Sequence, residues 1–427
     1  MKLTNDEQAM LDGKEGLAKQ KAMELLVKYG EALGAERLVD TNNICGGVVG
    51  ASPFVREFAA KAGSFDAVFS EFHLDSREVV EVPKVKAFTC SLIQGMDPAH
   101  WQMQGVEPGA YELNMRHEWF CTRIGIQLMN TCTPYLLGNV PVKGEHCAWM
   151  ESSAVVYCNS VFGARTNTEG FESTGAAMLT GKIPYWGYHL AENRLGTHLV
   201  DVEFDAKSVM DWGLLGYYVG EIVQERIPVL NGVRQVPNLS RLKHCGAAAA
   251  SSGGVEMYHI VGITPEAHSM EEAFGKKKPV ATLKFGKAER KEAYDNLNSS
   301  AKDTNVDFVV LGCPHYSIEQ LWEACKLIEG NRVHSNTNLW IFTPRAIKDI
   351  ADRNGYTEII TNAGATLMTD TCPALGQVSP KGVKVAVTDS AKQAHYLPAI
   401  MGFQVWFGSQ EECIQAAITG RWRGELK

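Results

Sequence analysis

The chain has 427 residues, which is enough for two or three domains and a large buried core. Hydrophobic residues make up 45% and charged residues 21%, which excludes wholesale disorder. The formal charge is -8 without a basic run, so nucleic acid, whose binding depends on phosphate neutralisation, is a poor candidate partner. We also expect no membrane partner, because no apolar run reaches the roughly 18 residues of a membrane helix.

The cysteines indicate a reducing compartment. There are 11 of them, an odd number scattered along a large chain, which is not the pattern of a disulfide framework. The polar first residues lack the apolar core of a signal peptide. We therefore expect a cytoplasmic protein with free thiols available for metal binding or catalysis.

The N-terminal elements begin with a predicted helix that Thr4 and Glu7 cap as a capping box. A second helix is predicted over residues 16–33 and a short strand over 37–39. A glycine-containing loop at 41–50 follows, and Ser52 with the next proline predicts another helix start. A loop that leads into a helix N-terminus suits a carboxylate or phosphate, and an ordinary strand–helix turn is the alternative.

The middle of the chain, residues 100–285, is mixed and glycine-rich, and its topology cannot be derived from its pattern. A strand is predicted at 228–230 and an exposed turn at 275–279, and residues 247–254 resemble a helix-start or tight-turn loop to which we assign no role. Beyond the exposed turn, strands alternate with helices. The predicted strands are 307–311, 339–342, 383–387 and 404–407, and the predicted helices are 317–328, 344–351 and 411–419. This alternation predicts a parallel, doubly wound α/β sheet. We place an N-terminal and central α/β region at 1–285 and a C-terminal α/β domain at 286–427.

Ligands of open parallel sheets bind beyond the carboxyl ends of the strands. Cys313 lies there, just after a predicted strand, and Cys372 lies in a loop between elements; both precede proline. Cys132 has a similar setting. Cys-Pro recurs at iron–sulfur ligands, and three thiolates would leave one iron of a cubane cluster open as a Lewis acid for dehydratase chemistry. Ordinary buried thiols are the alternative, because no Cys-x-x-Cys pair occurs.

Other polar residues are weaker candidates. His117 beside a glutamate and His146 beside another are compatible with acid–base chemistry or with satisfied polar pairs. Arg165 is a candidate clamp for a substrate carboxylate, or part of a loop held by local hydrogen bonds. Lys392, close to Ser390 after a strand, is a candidate clamp, base or acid if burial lowers its pKa, or a surface lysine.

Several stretches together resemble the large, catalytic part of the aconitase X family. They are residues 42–50, 131–135, 151–169, 312–315, 371–373 and 389–396, and the resemblance runs over about residues 4–422. It implies an aconitase-like α/β fold with parallel doubly wound sheet domains, an iron–sulfur cluster, either a four-iron cubane or a smaller form, and hydro-lyase activity on a small hydroxy acid. The family includes dehydratases of cis-3-hydroxy-L-proline and of mevalonate 5-phosphate.

The resemblance also implies roles for individual residues. Three cysteines match the cluster ligands: Cys132, Cys313 and Cys372. Three segments match substrate contacts: Gly46, Gly47 and Val48 in the first, Ser91 and Leu92 in the second, Ser390 and Lys392 in the third. Lys392 and Ser390 are also the candidate catalytic residues.

Two departures from the family pattern shape the functional expectation. The chain has no room for the counterpart of aconitase's mobile domain, so the resemblance implies a heterodimer with a separate small subunit. The loop at 42–47 does not closely match the loop of either known substrate. Our leading hypothesis is dehydration of cis-3-hydroxy-L-proline to Δ1-pyrroline-2-carboxylate. The alternatives are mevalonate 5-phosphate dehydratase, a non-catalytic iron–sulfur or zinc subunit and, with less support, a nicotinamide-dependent reductase.

Overall fold

The computed structural model describes residues 1–47 and 52–427. The first of its three consecutive parts contains a three-stranded parallel sheet, β3-β2-β4, and an antiparallel strand pair, β1-β5. Its elements are α1 (Asn5–Leu11), α2 (Leu17–Ala32), β1 (Leu38–Asp40), β2 (Ile44–Cys45), α3 (Arg56–Ala62), α4 (Phe65–Leu74), β3 (Thr89–Cys90), α5 (Pro108–Ile124), β4 (Ala148–Trp149), α6 (Ser152–Tyr157), α7 (Phe171–Thr180) and β5 (Lys182–Pro184).

The predicted capping box of the first helix is confirmed, whereas the predicted start of the helix after the glycine-containing loop is wrong. The backbone N–H of Glu7 donates to Thr4 Oγ1 at 3.3 Å, and Thr4 N–H donates back to the Glu7 carboxylate at 2.8 Å. Ser52 Oγ accepts from Phe54 N–H at 3.2 Å and forms a local turn. Such a side-chain turn competes with helix formation, and α3 begins only at Arg56.

The middle part is built on a four-stranded parallel sheet in the order β8-β7-β6-β9. Its elements are β6 (His198–Val202), α8 (Val209–Val223), β7 (Pro228–Asn231), α9 (Leu239–Gly253), β8 (His259–Ile260), α10 (Met270–Phe274) and β9 (Ala281–Phe285). Both interpretations of residues 247–254, a helix start and a tight-turn loop, are wrong, because residues 247–253 complete α9 and Gly254 is its C-cap. A Cβ on Gly253 would lie 1.8 Å from the Gly220 carbonyl oxygen, so glycines here allow α8 and α9 to pack backbone against backbone.

The C-terminal part has five parallel strands in the order β12-β11-β10-β13-β14. Its elements, preceded by the connecting helix α11 (Lys287–Asn298), are β10 (Phe308–Leu311), α12 (Ile318–Ile328), β11 (Asn338–Phe342), α13 (Arg345–Arg353), α14 (Tyr356–Asn362), β12 (Thr366–Met368), α15 (Pro373–Gly376), β13 (Val385–Thr388), α16 (Ala391–Met401), β14 (Gln404–Phe407) and α17 (Gln410–Thr419). The predicted doubly wound sheet is confirmed. The predicted boundary after residue 285 falls between β9 and α11 and stays a prediction.

The strand order reverses between β10 and β13, which are hydrogen-bonded neighbours: Phe308 pairs with Ala386. From β10 the chain continues outward to β11 and β12, and from β13 it continues the other way to β14. At such a switch point the connections diverge and leave a crevice beyond the carboxyl ends of the strands. Cys313 follows β10 and Ser390 follows β13, so both residues lie at this crevice.

The three parts share their cores. The largest apolar cluster runs from Trp149 in the first part through Trp212 in the middle to Phe342 and Phe407 in the last, and all four side chains are fully buried. A separate cluster around Phe69 fills the first part. In the described part of the chain, no helix combines the length and the apolarity needed to cross a membrane.

Gly312, between β10 and Cys313, tests how tightly this loop is constrained. Its φ is +95°, and a Cβ there would lie 2.1 Å from the Phe342 carbonyl oxygen. We expect Gly312→Ala to destabilise the fold by about 3 kcal/mol, because the backbone must move away from β11. The midpoint of urea unfolding measures the effect.

Gly330→Ala is the matched control for this substitution. Gly330 also has a positive φ, +76°, but nothing lies within 4 Å of its added Cβ. It should lose only about 1 kcal/mol, from the left-handed backbone conformation. Equal losses in the two variants would contradict the close approach at Gly312.

Candidate active site

A cavity of about 370 Å³ lies between the first and the last part of the chain. The first part contributes Cys132 and the segment that enters α6, including Glu151. The last part contributes Cys313 after β10, Cys372 after β12, and Lys392 from the first turn of α16. The structure therefore brings the three predicted cysteines and Lys392 together at the switch point.

All three thiols are buried and free. Cys132 is 6% exposed, and Cys313 and Cys372 are each 7% exposed. Cys313 emerges directly from β10, while Cys372 is the N-cap of the short helix α15. Because β10 and β12 are parallel members of one sheet, their carboxyl ends bring these two cysteines to the same rim.

Hydrogen-bond donors surround the three sulfur atoms. The backbone N–H of His315 donates to Cys132 Sγ at 3.3 Å, and Leu375 N–H donates to Cys372 Sγ at 3.5 Å. The Ser390 hydroxyl, at the N-cap of α16, hydrogen-bonds the sulfur of Cys313. Donors aimed at sulfur stabilise the thiolate form and tune cluster potentials in iron–sulfur proteins.

Burial nevertheless raises the pKa of each of these thiols to about 12. The hydrogen bonds from His315, Ser390 and Leu375 lower the pKa values and only partly offset burial. The thiols are therefore neutral until a cation replaces their protons, which is what a bound metal centre does.

The arrangement fits a metal cluster better than a single metal ion. Among residues 1–47 and 52–427, no three His, Cys, Asp or Glu side chains converge closely enough to hold one ion. The three thiols instead surround a shared space, each with a donor to its sulfur. A polynuclear iron–sulfur cluster is held by thiolates spread around it. Cys132, Cys313 and Cys372 are the residues that would hold such a group.

Lys392 forms a buried ion pair with Glu151. Its Nζ lies 2.7 Å from Glu151 Oε1 and 3.1 Å from Ser152 Oγ. Burial by itself would lower the pKa of Lys392, but the ionised Glu151 outweighs burial and the pKa is raised. The expectation that burial lowers the pKa of Lys392, which a basic role would require, is therefore wrong. Lys392 is a permanent cation at the cavity.

Glu151 is held in place by the helix that it starts. Its Oε2 accepts from Ala154 N–H at 2.8 Å and from the Ser153 hydroxyl at 2.6 Å, so it is the N-cap of α6. Burial acts to raise its pKa, and Lys392 with these hydrogen bonds brings the pKa below its ordinary value. Glu151 therefore stays ionised beside Lys392.

The other predicted substrate residues have varied positions. Leu92 lines the cavity, whereas Ser91 lies behind it and donates to Asn130 Oδ1 at 2.7 Å. Ser390 is buried against Cys313 rather than among the described lining residues. Gly46 and Gly47 of the first segment are buried, and neither is among the described residues that line the cavity. Val48 lies outside the described residues.

The histidine and arginine candidates lie away from the cavity. His117 contacts the Cys121 thiol at 3.2 Å within α5. The Nδ1 atoms of His146 and His189 lie 2.9 Å apart, and Arg165 donates to the His189 carbonyl at 2.7 Å. None of these side chains is among the described residues that line the cavity. Their contacts agree with the alternative interpretation, local polar pairs.

Sequence reasoning missed three polar residues. Glu151 was assigned no role because its partner is 241 positions away. Gln393 lines the cavity with neither amide atom hydrogen-bonded among the described residues, and only its place beside Lys392 could have indicated it. Lys243 has its ammonium against the loop at 313–315, and nothing in the surrounding sequence marks it.

Comparison with family models covers nearly the whole chain. The aconitase X first-domain model matches residues 1–192, the second-domain model 196–295 and the third-domain model 306–419. Among solved structures, the holo form of Thermococcus kodakaraensis aconitase X matches with a TM-score of 0.83 and 32% identity. The match covers 98% of this chain and 100% of that one.

Two kinds of characterised relative are similar to the chain. The phosphomevalonate dehydratase large subunit of Methanocaldococcus jannaschii is 35% identical, over 97% of this chain and 100% of that protein. The cis-3-hydroxy-L-proline dehydratase of Hypocrea jecorina is 34% identical, over 98% of this chain and 69% of that protein. The enzyme of the same name from Pseudomonas aeruginosa is 35% identical, over 97% and 70% respectively.

The ion pair predicts a stability change that does not depend on any assigned activity. Lys392→Met leaves Glu151 ionised and buried without its partner, which should cost about 3 kcal/mol at neutral pH. Without the lysine, burial raises the pKa of Glu151, so protonation then stabilises the folded variant. The deficit should therefore shrink as the pH falls towards about 4.3, the ordinary value for glutamate. Urea unfolding at a series of pH values measures it.

Two further variants control this experiment. Adding Glu151→Gln to Lys392→Met removes the unpaired charge and should recover part of the lost stability. Lys61→Met breaks the exposed pair with Glu57 and should change stability by less than about 0.5 kcal/mol. A deficit that grew on acidification would contradict the assigned charges.

Proposed function

The chain belongs to the aconitase X family and is a dehydratase, that is a hydro-lyase, and from this premise we propose that it dehydrates cis-3-hydroxy-L-proline with the help of an iron–sulfur cluster. Cys132, Cys313 and Cys372 would hold the cluster. The proposal depends on one observation. Three thiols, each with a hydrogen-bond donor to its sulfur, line the same small cavity as the Lys392–Glu151 ion pair.

The cluster supplies one kind of chemistry: an iron that no protein side chain ligates acts as a Lewis acid on a substrate hydroxyl or carboxylate. The chain supplies the thiols, the donors to their sulfur atoms and a cavity with apolar walls. Among those walls, Leu92, Met150 and Phe171 limit the water that surrounds a bound substrate.

The charges at the cavity favour a zwitterionic substrate. Lys392 and Glu151 are the charged side chains of the described lining, apart from the thiols, and together they are neutral. A hydroxyproline brings one carboxylate and one ammonium, which match a lysine and a glutamate. Lys392 holds the carboxylate, Glu151 faces the ammonium, and the unpaired amide of Gln393 is available to the substrate.

In the proposed reaction, the proton on the carbon next to the carboxylate is removed and the neighbouring hydroxyl leaves as water. The resulting enamine tautomerises to Δ1-pyrroline-2-carboxylate. Lys392 stabilises the carboxylate as negative charge develops beside it. Its raised pKa keeps it protonated, so another group accepts the proton. Ser390 acts through Cys313, whose sulfur it hydrogen-bonds.

Mevalonate 5-phosphate is the second candidate substrate. The chain matches the Methanocaldococcus jannaschii large subunit over the whole length of that protein, whereas it matches about 70% of the hydroxyproline enzymes. This substrate carries a phosphate as well as a carboxylate. Among the described residues that line the cavity, Lys392 is the cation. In this alternative the loop of Gly46 and Gly47 would bind the phosphate, and the phosphate would then lie outside the described lining of the cavity.

We also propose that a separate small subunit covers the cavity. At its mouth, Phe54 is 71% exposed and Ile400 is 41% exposed. Large apolar side chains beside a substrate cavity are typical of a surface that a partner covers. The non-catalytic iron–sulfur or zinc subunit, the alternative of another class, disagrees with the dehydratase activity of the family.

Substrate turnover separates these functions. The chain, reconstituted with iron and sulfide without oxygen and supplied with its small partner, should convert cis-3-hydroxy-L-proline to a product that o-aminobenzaldehyde traps. Mevalonate 5-phosphate is assayed in parallel by loss of substrate in mass spectrometry. Turnover of mevalonate 5-phosphate alone would transfer the proposal to the alternative, and turnover of neither by cluster-loaded protein would exclude both.

Single cysteine substitutions test the ligand set. Cys132→Ser, Cys313→Ser or Cys372→Ser should each lower bound iron and sulfide by about tenfold or more and abolish turnover, because a thiolate ligand is lost. Cys325→Ser is the matched control, since Cys325 is buried on α12 away from the cavity and donates to the Tyr356 carbonyl. Full cluster content in Cys313→Ser, measured as iron and acid-labile sulfide, would contradict the assignment.

A further inference from the structure

Lys243 is a buried cation behind the loop that carries Cys313. It lies on α9 in the middle part and is 3% exposed. Its ammonium donates to the His315 carbonyl at 2.7 Å, to Gln320 Oε1 at 2.5 Å and to the Pro314 carbonyl at 3.4 Å. Within the described part of the chain it forms no ion pair with a carboxylate.

An ammonium in this position is costly. Moving a charge of this size out of water costs several kcal/mol even after the protein relaxes, and neutral oxygens offset only part of that. Burial accordingly lowers the pKa of Lys243 to about 8. Four groups face it: Cys132 and Cys313, which raise the pKa in return once they are thiolates, and the carboxylates of Asp389 and Glu319, which also raise it. Two of these four are proposed cluster ligands.

The other lysine at the site, Lys392, lowers the pKa of all three thiols, but Glu151 opposes it at Cys132 and Cys313. Lys392 is already paired with Glu151 at 2.7 Å, so that pair is close to neutral as a whole. Asp389 is engaged as well, because it accepts a hydrogen bond from the Tyr316 hydroxyl. Lys243 differs from Lys392 in that no carboxylate of the described residues lies within ion-pair distance of its ammonium, and Asp389 and Glu319 act on it from further away.

We infer that Lys243 is the buried countercharge of the cysteine-bound centre: its ammonium offsets the negative charge of the Cys132 and Cys313 thiolates and fixes the loop at 313–315 through two carbonyls. The inference rests on the proposed cluster and assigns Lys243 as a positioning residue, since it acts through the ligands and touches no substrate. The net charge around an iron–sulfur cluster, together with hydrogen bonds to its sulfurs, sets its reduction potential. Lys243 thereby holds the potential at a higher value than the same site without it.

The test replaces Lys243 in the full chain and reads the cluster directly. Lys243→Met removes the charge with little change of volume, and such replacements of buried charges are often tolerated by the fold. Lys243→Gln also removes the charge but keeps an N–H donor for the His315 carbonyl. Lys277→Met, on an exposed turn, removes one positive charge far from the thiols and is the matched control.

After reconstitution without oxygen, the midpoint potential is measured by a redox titration followed by electron paramagnetic resonance. Cluster loss to a chelator is followed by visible absorbance. We expect Lys243→Met and Lys243→Gln to shift the potential to more negative values and to lose the cluster about tenfold faster than wild type. Lys277→Met should match wild type in both measurements.

Unchanged potential and loss rate in the two Lys243 variants would overturn this inference while leaving the proposed cluster in place. An equal shift in Lys277→Met would overturn it as well, because the effect would then not be local. If Lys243→Met fails to fold, Lys243→Gln decides between these outcomes. Wild-type chain that takes up no iron and sulfide would overturn both the inference and the proposed function.

Discussion

The ion pair between Lys392 and Glu151 ties the first part of the chain to the last at the point where the cavity forms. Glu151 starts α6, and Lys392 lies in the first turn of α16. Because both groups are buried, neither charge is stable there without the other. The same N-terminal turn of α16 places Ser390 against Cys313, so the ion pair and one of the donors to sulfur lie on a single helical turn.

The two lysines near the thiols lie at different depths. One cation, Lys392, lies at the cavity and is balanced by its own glutamate. A second cation, Lys243, lies behind the backbone and donates hydrogen bonds to the carbonyls of Pro314 and His315. Backbone N–H groups complete the surroundings of Cys132 and Cys372. A site built in this way is pre-organised for an anionic centre before any ligand arrives, because its dipoles are fixed by the fold.

Sequence pattern predicted four of the five strands of the C-terminal part, most clearly where the strand is a continuous buried apolar run, as at 308–311. It missed β12, which has three residues and begins with a threonine, and the helices α14 and α16. It failed in the middle part, where α8 and α9 pack through Gly220 and Gly253 and show little apolar periodicity. Spacing alone placed Cys313 at a sheet rim, while choosing three thiols of 11 required the family resemblance. Glu151 and Lys243 escaped prediction because their partners are distant in sequence, and no local pattern encodes such pairs.

The cavity takes its walls from residues as far apart as Ser52 and Ile400. Translation proceeds from the N-terminus, and domains generally fold as units as they emerge. The first part can therefore complete its own core while the ribosome is still making the last sheet, yet the cavity has no second wall until α16 has left the exit tunnel. Anything that binds between these two walls therefore does so only after nearly the whole chain has been synthesised.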